Sequence, residues 1–363
     1  MSNSSPYLIT VDYPPETGGV ARYLFELVKA SKGEMKVIVP AGQGLGGDGV
    51  IAKSLFRTQW PRWWPVIGAC LALKRKAKAI LVSHVLPIGT AAMISRWLGG
   101  PKYVLLLHGL DIRLANRSFW KRVLFKMIVF FAGHIIVNSE ATRRLFAQAT
   151  GSDRPVTVIH PAVADHSFSD RKKARDVLGI SPEEHIVLAV ARLVERKGVD
   201  ALIQSIQHLP PGDRIRVVII GDGPESSKLH ELARDSKHRI QFLSQTSDEH
   251  KWEWYAAANV FCLPVKDFSD DLEGFGIVFL EAALAGLPVI AGKSGGVSEA
   301  VVDRETGILV NSNDTKEIGR ALMMLLGDPD LQKRYGLAGR ERALRDFRWE
   351  DRWESYQKIF DTL

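Results

Sequence analysis

The chain has 363 residues, 46% of them hydrophobic and 25% charged. That globular usage leaves room for two domains and excludes intrinsic disorder, collagen and coiled coil for the chain as a whole. The net charge of +7 is unevenly held: residues 1–165 carry 21 basic against 9 acidic side chains (+12) and the remainder 27 against 32 (−5), so an anionic partner is expected for the first half.

The opening MSNSSPYLIT has no basic region followed by a long apolar run, so export is not expected and the chain is placed in the cytoplasm. Tyr7 to Val11 reads as a first strand, followed by the loop Asp12 to Gly19 and a helix from about Val20 to Ala30. Further strand-like runs are Lys36 to Pro40, Ala79 to Ser83, Tyr103 to His108, Ile135 to Asn138 and Val156 to His160, with helical patterns between most of them. A polar stretch, about Asp165 to Glu184, marks the domain boundary.

The alternation then restarts. Strands are expected at Ile186 to Ala191, Arg216 to Gly221, Ile240 to Leu243, Val260 to Leu263 and Pro288 to Ala291. Helices are expected at Val199 to Gln207, Glu225 to Asp235, Glu249 to Ala257 and Gly276 to Ala285. Charged helices finish the chain, with Trp349, Trp353 and Phe360 packing back on the body. The reading is α/β: two Rossmann-like, doubly wound domains facing a cleft, 1–165 and 166–345, with 346–363 returning to the first. Ligands are expected at the carboxyl ends of the strands.

Several motifs imitate other chemistries. Gly42-Gln-Gly-Leu-Gly-Gly47 fits a dinucleotide fingerprint but lacks a helix behind it, and no acidic residue follows before Asp111 other than Asp48, so a loop is expected. Gly292-Lys-Ser-Gly-Gly296 fits a nucleophile elbow, yet the last histidine is His250 and none follows Ser294. Gly286 to Ser294 is one residue too long for a P-loop. Two cysteines, Cys70 and Cys262, make neither a disulfide framework nor a Cys-x-x-Cys site, and no His-Glu-x-x-His occurs, so no metal site is expected. No run of about 18 uncharged apolar residues is present to span a bilayer.

Five features fall at strand ends. Gly18-Gly19 opens a helix, where backbone amides meet a phosphate closely, or makes only a tight turn. His108-Gly-Leu-Asp111 follows Tyr-Val-Leu-Leu-Leu: His108 is either a proton-handling group or a satisfied core histidine. Arg192-Leu-Val-Glu-Arg-Lys197 offers a fork and a point charge for a diphosphate, or is a solvated basic loop. Gly221-Asp-Gly223 is a glycine turn. Glu273-Gly-Phe-Gly-Ile-Val-Phe-Leu-Glu281 sets one carboxylate before a helix and another inside it, suited to gripping hydroxyls, with the amides of Phe275 and Gly276 at the helix start.

The ordered set GGVARYL, HGLDIR, ARLVERKGVD, GDGPE and the E-x7-E pair Glu273 and Glu281 resembles a retaining GT-B glycosyltransferase of family 4, similar to the bacterial phosphatidylinositol mannosyltransferases and related surface-glycan enzymes. The resemblance implies transfer from a nucleotide-diphosphate sugar, UDP or GDP type undecided, with retention and without an essential metal or other cofactor. It implies that Arg192 and Lys197 bind the donor diphosphate and that Glu281 holds the ribose. Glu273, with the amides of Phe275 and Gly276, would hold the transferred sugar. Gly18, Gly19 and Gly221 would approach the donor, and His108 would contact the sugar near the reacting carbon. Asp111 orients His108 or the acceptor.

The resemblance gives the acceptor to the first domain, and that domain is the basic one. Trp60-Pro-Arg-Trp63-Trp64, Lys74-Arg-Lys-Ala-Lys78 and the run Arg117 to Phe131, bulky, cationic and without an acid, suit an anionic membrane surface; core packing is the alternative for that run. A lipid-linked or glycolipid acceptor at the inner face of the plasma membrane is therefore expected. A nucleotide-sugar epimerase or a soluble disaccharide-forming enzyme stays open. A basic nucleic-acid-binding protein is a third reading, against which stand the acidic second half and the lack of any recognition motif; no nucleic-acid partner is expected.

Overall fold

A computed structural model describes residues 5–16, 18–43, 49–57, 62–210, 214–268 and 273–363. Most of the Gly42 to Gly47 loop, and Trp60 of the tryptophan cluster, lie outside them. The chain divides into two compact units, Met1–Ala162 with Trp349–Leu363, and Val163–Arg348.

Among the described residues the first unit carries a seven-stranded parallel sheet. Its strands are β1 (Ser5–Ile9), β2 (Lys36–Pro40), β3 (Val50–Lys53), β4 (Ala77–Val82), β5 (Tyr103–Leu107), β6 (His134–Val137) and β7 (Thr157–Val158). They lie in the order β3-β2-β1-β4-β5-β6-β7, so the winding reverses between β1 and β4. Helices cover the sheet, which is why β5, Tyr-Val-Leu-Leu-Leu, is buried at every position and reads as a continuous apolar run. The terminal helix Trp349–Asp361 packs on the helix Gly19–Ala30, where Tyr23 and Tyr356 share a buried hydroxyl–hydroxyl hydrogen bond of 2.7 Å and Trp349 meets the Tyr23 ring.

The second unit has a six-stranded sheet of β8 (His185–Val190), β9 (Ile215–Ile220), β10 (Arg239–Leu243), β11 (Val260–Leu263), β12 (Val289–Gly292) and β13 (Gly307–Val310). Its order is β10-β9-β8-β11-β12-β13, with the reversal between β8 and β11. All the pairings in both sheets are parallel. The polar stretch read as a boundary holds the helix Arg171–Leu178, started by the Asp170 carboxylate on the Lys172 amide. Its Arg175 is buried and donates to the carbonyls of Ala257, Ser181, Pro182 and Glu184 and to Asn259. One guanidinium fan fastens this segment to the body of the second unit.

Both cysteines are buried and free. No helix among the described residues is long and apolar enough to cross a membrane, and no group of three or more His, Cys, Asp or Glu there could hold a metal ion.

Candidate active site

In open α/β sheets ligands bind beyond the carboxyl ends of the strands, at the point where the strand order reverses. In the second unit that point lies between β8 and β11. After β8 the chain makes a 3-10 turn, Glu195–Lys197, that swings two adjacent cations inward. Lys197 Nζ donates to Glu273 Oε2 at 2.5 Å, and Arg196 pairs with the same oxygen. Glu273 Oε1 has no protein partner among the described residues. Burial alone would raise the Glu273 pKa, but the charges and hydrogen bonds of Lys197 and Arg196 outweigh it and hold the carboxyl below its ordinary value. It is an ionised acceptor with one free oxygen.

Neighbouring loops fix this arrangement. The Gly296 amide donates to the Glu273 carbonyl at 3.0 Å, and the Lys266 amide to the Arg196 carbonyl at 2.7 Å. Ser294, the false nucleophile, is buried and donates its hydroxyl to the Lys266 carbonyl at 3.1 Å. Gly276 caps the helix Ile277–Leu284 at φ +90, and a Cβ there would lie 2.5 Å from the Phe279 ring, so only glycine lets the chain enter that helix this closely. The Phe275 side chain is core, tilted against Phe347 at 5.7 Å, so only its backbone is left to meet a ligand.

Glu281 is the fifth residue of that helix and is buried. Its Oε2 accepts from the Tyr255 hydroxyl at 2.9 Å and its Oε1 lies 3.5 Å from Lys251 Nζ. Burial, then the Glu281 charge and hydrogen bond, hold the Tyr255 phenol well above its ordinary pKa, so it remains a donor. Arg192 is exposed and makes no ion pair or side-chain hydrogen bond among the described residues. Arg192 was read from the sequence as a diphosphate ligand and not as a partner of Glu273; the second cation on Glu273 is Arg196, which the sequence reading did not single out. That reading also missed Tyr255 and Lys251, whose separation of 26 and 30 residues from Glu281 leaves no local signal.

Gly221 has a packing reason of its own: a Cβ would lie 1.9 Å from the Ala191 carbonyl oxygen, where the chains leaving β8 and β9 touch. Gly18 and Gly19, in the first unit, differ. Both are exposed, a Cβ on either meets nothing within 4 Å, and the helix Gly19–Ala30 has no side-chain cap and no acid in its first turn. Its first amides are open to an anion.

His108 follows β5, with its ring edge-on to Tyr23 at 5.6 Å and its Nε2 buried without a hydrogen-bond partner among the described residues. Burial, then repulsion from His84, push its pKa down to about 4 against the pull of Asp12, so the ring is neutral at pH 7. Asp111 Oδ1 accepts from the amides of His108, Gly109 and Ile112 at 3.1, 2.9 and 3.0 Å. These three bonds shape the turn that carries His108.

Comparison with known proteins agrees with this geometry. Residues 17–166 match the Glycosyltransferase Family 4 domain, and residues 170–342 match Glycosyl transferases group 1. A GDP-mannose-dependent alpha-(1-6)-phosphatidylinositol monomannoside mannosyltransferase of Mycolicibacterium smegmatis is 30% identical, spanning 95% of this chain and 95% of its own. A GDP-mannose-dependent monoacylated alpha-(1-6)-phosphatidylinositol monomannoside mannosyltransferase of Corynebacterium glutamicum is 28% identical over 98% of this chain and 97% of its own. Among solved structures, HepE of Anabaena in complex with UDP-glucose has a TM-score of 0.82 at 20% identity, covering 99% of this chain and 100% of that one. Sucrose-phosphate synthase of Thermosynechococcus elongatus has a TM-score of 0.81 at 21% identity over 99% and 98%. The structural likeness fixes the fold as GT-B. The chain belongs to the family 4 glycosyltransferases, and it transfers a sugar from a nucleotide sugar to an acceptor.

Proposed function

We propose that the chain moves a sugar, mannose in the first instance, from a GDP-sugar to a phosphatidylinositol-type glycolipid, with retention and without an essential metal. The observation that carries this reading is the cluster of Arg196, Lys197 and Glu273 at the switch point of the second sheet. The two cations, with exposed Arg192 nearby in sequence, supply the positive charge that a departing diphosphate needs, the task a metal performs elsewhere. Glu273 Oε1 and the backbone at Phe275 and Gly276 are suited to the hydroxyls of the transferred sugar, and Glu281 to the ribose.

The same chemistry bears on the route by which the proposed retention would be reached. A double displacement needs a carboxylate free to attack carbon. Glu273 is neutralised by two cations and is a poor nucleophile. A front-face displacement fits better: the acceptor oxygen bonds to the sugar carbon as the carbon–phosphate oxygen bond breaks, and the acceptor proton passes to the departing phosphate. The full-length relatives named for GDP-mannose and phosphatidylinositol mannosides favour that donor and acceptor.

A membrane seat suits such an acceptor. The helix Phe119–Phe131 turns Phe125, Ile128 and Val129 into the core. Its other side exposes Phe119, Trp120 and Phe130, at 67%, 79% and 69%, beside exposed Lys121, Arg122 and Lys126. Trp97 joins them through the Phe131 ring at 5.2 Å. No acidic residue lies between Asp111 and Glu140. Bulky aromatics set among unpaired-sign cations are the composition of an interfacial helix on anionic lipid. Of the second basic cluster, Lys74, Arg75 and Lys76 are exposed, whereas Lys78 is drawn into an ion pair with Asp361.

The test is transfer of radiolabel from GDP-mannose into the organic phase in the presence of vesicles containing phosphatidylinositol. Product is expected with vesicles. The triple variant Lys121→Glu, Arg122→Glu, Lys126→Glu should lose most of the vesicle-bound protein on flotation and most of the product. Label transferred only to a soluble sugar, or equal flotation of the variant, would overturn the lipid reading.

A further inference from the structure

The helix Ile277–Leu284 sinks an acid among apolar residues. Phe279, Leu280, Ala282, Ala283 and Leu284 are buried beside Glu281, whose side chain is 9% exposed. A carboxylate in such a place weakens the fold unless its partners are well set, and an apolar residue of like volume would pack at least as well. The partners come from another helix, Asp248–Ala257, on which Lys251 and Tyr255 stand one turn apart on the same face. Tyr255 donates its hydroxyl to Glu281 Oε2 at 2.9 Å, and Lys251 Nζ lies 3.5 Å from Oε1.

Neither partner is free to turn away. The Tyr255 ring is fully buried, stacked on Phe261 of β11 at 5.8 Å and 17°, and tilted against Trp252 at 5.3 Å. Phe261 in turn meets Phe279, on the helix that carries Glu281, edge-on at 5.9 Å. One side chain of a central strand therefore backs both the ring that gives the hydroxyl and the helix that gives the carboxylate. Lys251 Nζ is held 3.3 Å from the Asp248 carboxylate and 4.7 Å from the centre of the Trp252 ring.

Counting acceptor positions shows what is left. An ionised carboxylate offers about four lone-pair positions, two on each oxygen. Tyr255 takes one on Oε2 and Lys251 faces Oε1, so each oxygen keeps one. Two acceptors side by side match the adjacent hydroxyls of a cis-diol, but only while the plane of the carboxylate is held.

We infer that Tyr255, assisted by Lys251, is a positioning residue that sets the plane of the Glu281 carboxylate so that both of its oxygens accept from the two hydroxyls of a nucleotide ribose. Tyr255 acts through Glu281 and not on the nucleotide itself. The inference rests on the proposal that Glu281 holds the ribose, and it names the group on which that hold depends.

Calorimetric titration of the intact protein with GDP and with 2′,3′-dideoxy-GDP, which lacks both hydroxyls, tests it. Tyr255→Phe keeps the ring and its packing and removes only the donor. The variant should bind GDP about tenfold more weakly, the scale of one hydrogen bond to a charged group, and 2′,3′-dideoxy-GDP within about twofold of wild type. Unchanged binding of the dideoxy nucleotide also shows that the variant is folded. In transfer assays the loss should fall on the KM for GDP-mannose more than on kcat. Lys251→Gln is the second route should Tyr255→Phe not fold, and it too should weaken GDP while sparing the dideoxy nucleotide.

An equal loss on both nucleotides would make Tyr255 a structural residue only and overturn the inference, as would undiminished GDP binding. A wild-type protein that binds GDP and 2′,3′-dideoxy-GDP alike would instead contradict the assignment of Glu281 to the ribose. A wild-type preference for UDP would contradict the GDP donor alone, and the same comparison with UDP and 2′,3′-dideoxy-UDP would then decide the role of Tyr255.

Discussion

Replacing Glu273 with alanine is expected to cost about 3 kcal/mol of stability and at least a hundredfold in turnover, because it strips the counter-charge from two cations held at the switch point of the second sheet. The Lys197 and Glu273 side chains are only 11% and 10% exposed, so solvent screens little of the loss. The double variant Glu273→Ala, Lys197→Met should regain most of the stability, since it removes the orphaned charge, yet none of the activity. Urea unfolding and initial rates on the same preparations separate the two. Recovery of rate together with stability would show a structural pair with no role in transfer. The sign of the pH dependence follows from the depressed Glu273 pKa. The carboxylate's contribution is fully present above its unfolded pKa and is lost as pH falls through the lower folded value, so wild type and Glu273→Gln should converge in stability in acid.

The second large effect concerns a glycine assigned to the donor from sequence. Gly221→Ala places a Cβ 1.9 Å from a backbone oxygen, Ala191 O, at a φ of +136. Side-chain flexibility cannot relieve a backbone clash, and overpacking and positive φ together should remove about 3 kcal/mol or more. Activity should fall because the loop from Ala191 to Gly198 shifts. Gly19→Ala is the contrast: nothing lies within 4 Å of the added methyl, so stability should change by less than about 0.5 kcal/mol. Any activity lost there is lost to a ligand. Thermal unfolding of both variants checks this, and equal destabilisation would contradict the distinction.

These two glycines show what one sequence can and cannot reveal. Both sit in strand-to-helix turns, and the resemblance brings both toward the donor. What separates them is the distance to a chain segment 30 residues away in sequence, which only the fold supplies. The alternation of strand and helix was legible because parallel strands are buried on both faces: β2 and β11 lie where the apolar runs lie, and the other expected strands are within a residue or two, apart from the shorter β7. Two strands escaped, β3 and β13, each four residues long, the first partly exposed at a sheet edge and the second opening on glycine. The helix Trp64–Leu71 was also hidden, because its first residue Trp64 and the Arg62 and Trp63 just before it were read as a surface feature.

In the site, residue types were legible and partners were not. Glu273 and Lys197 were singled out by chemistry and do meet, but that Arg196 joins them is decided by a single 3-10 turn and carries no sequence signal. Asp12 and His84 are 72 residues apart and carry no motif. Their pairing comes from β1 and β4 being neighbours in the sheet, a long-range consequence of the winding.

On the proposed function this chain binds a nucleoside diphosphate through Arg192, Lys197 and Glu281, with Arg196 adding charge beside them. A thermal-shift titration with GDP, UDP and their sugars measures it directly, because a ligand that binds only the folded protein raises Tm by mass action. GDP and GDP-mannose are expected to raise Tm more than UDP or UDP-glucose, and Lys197→Ala and Glu281→Ala to lose that rise. No shift with any nucleotide, or an undiminished shift in both variants, would contradict it.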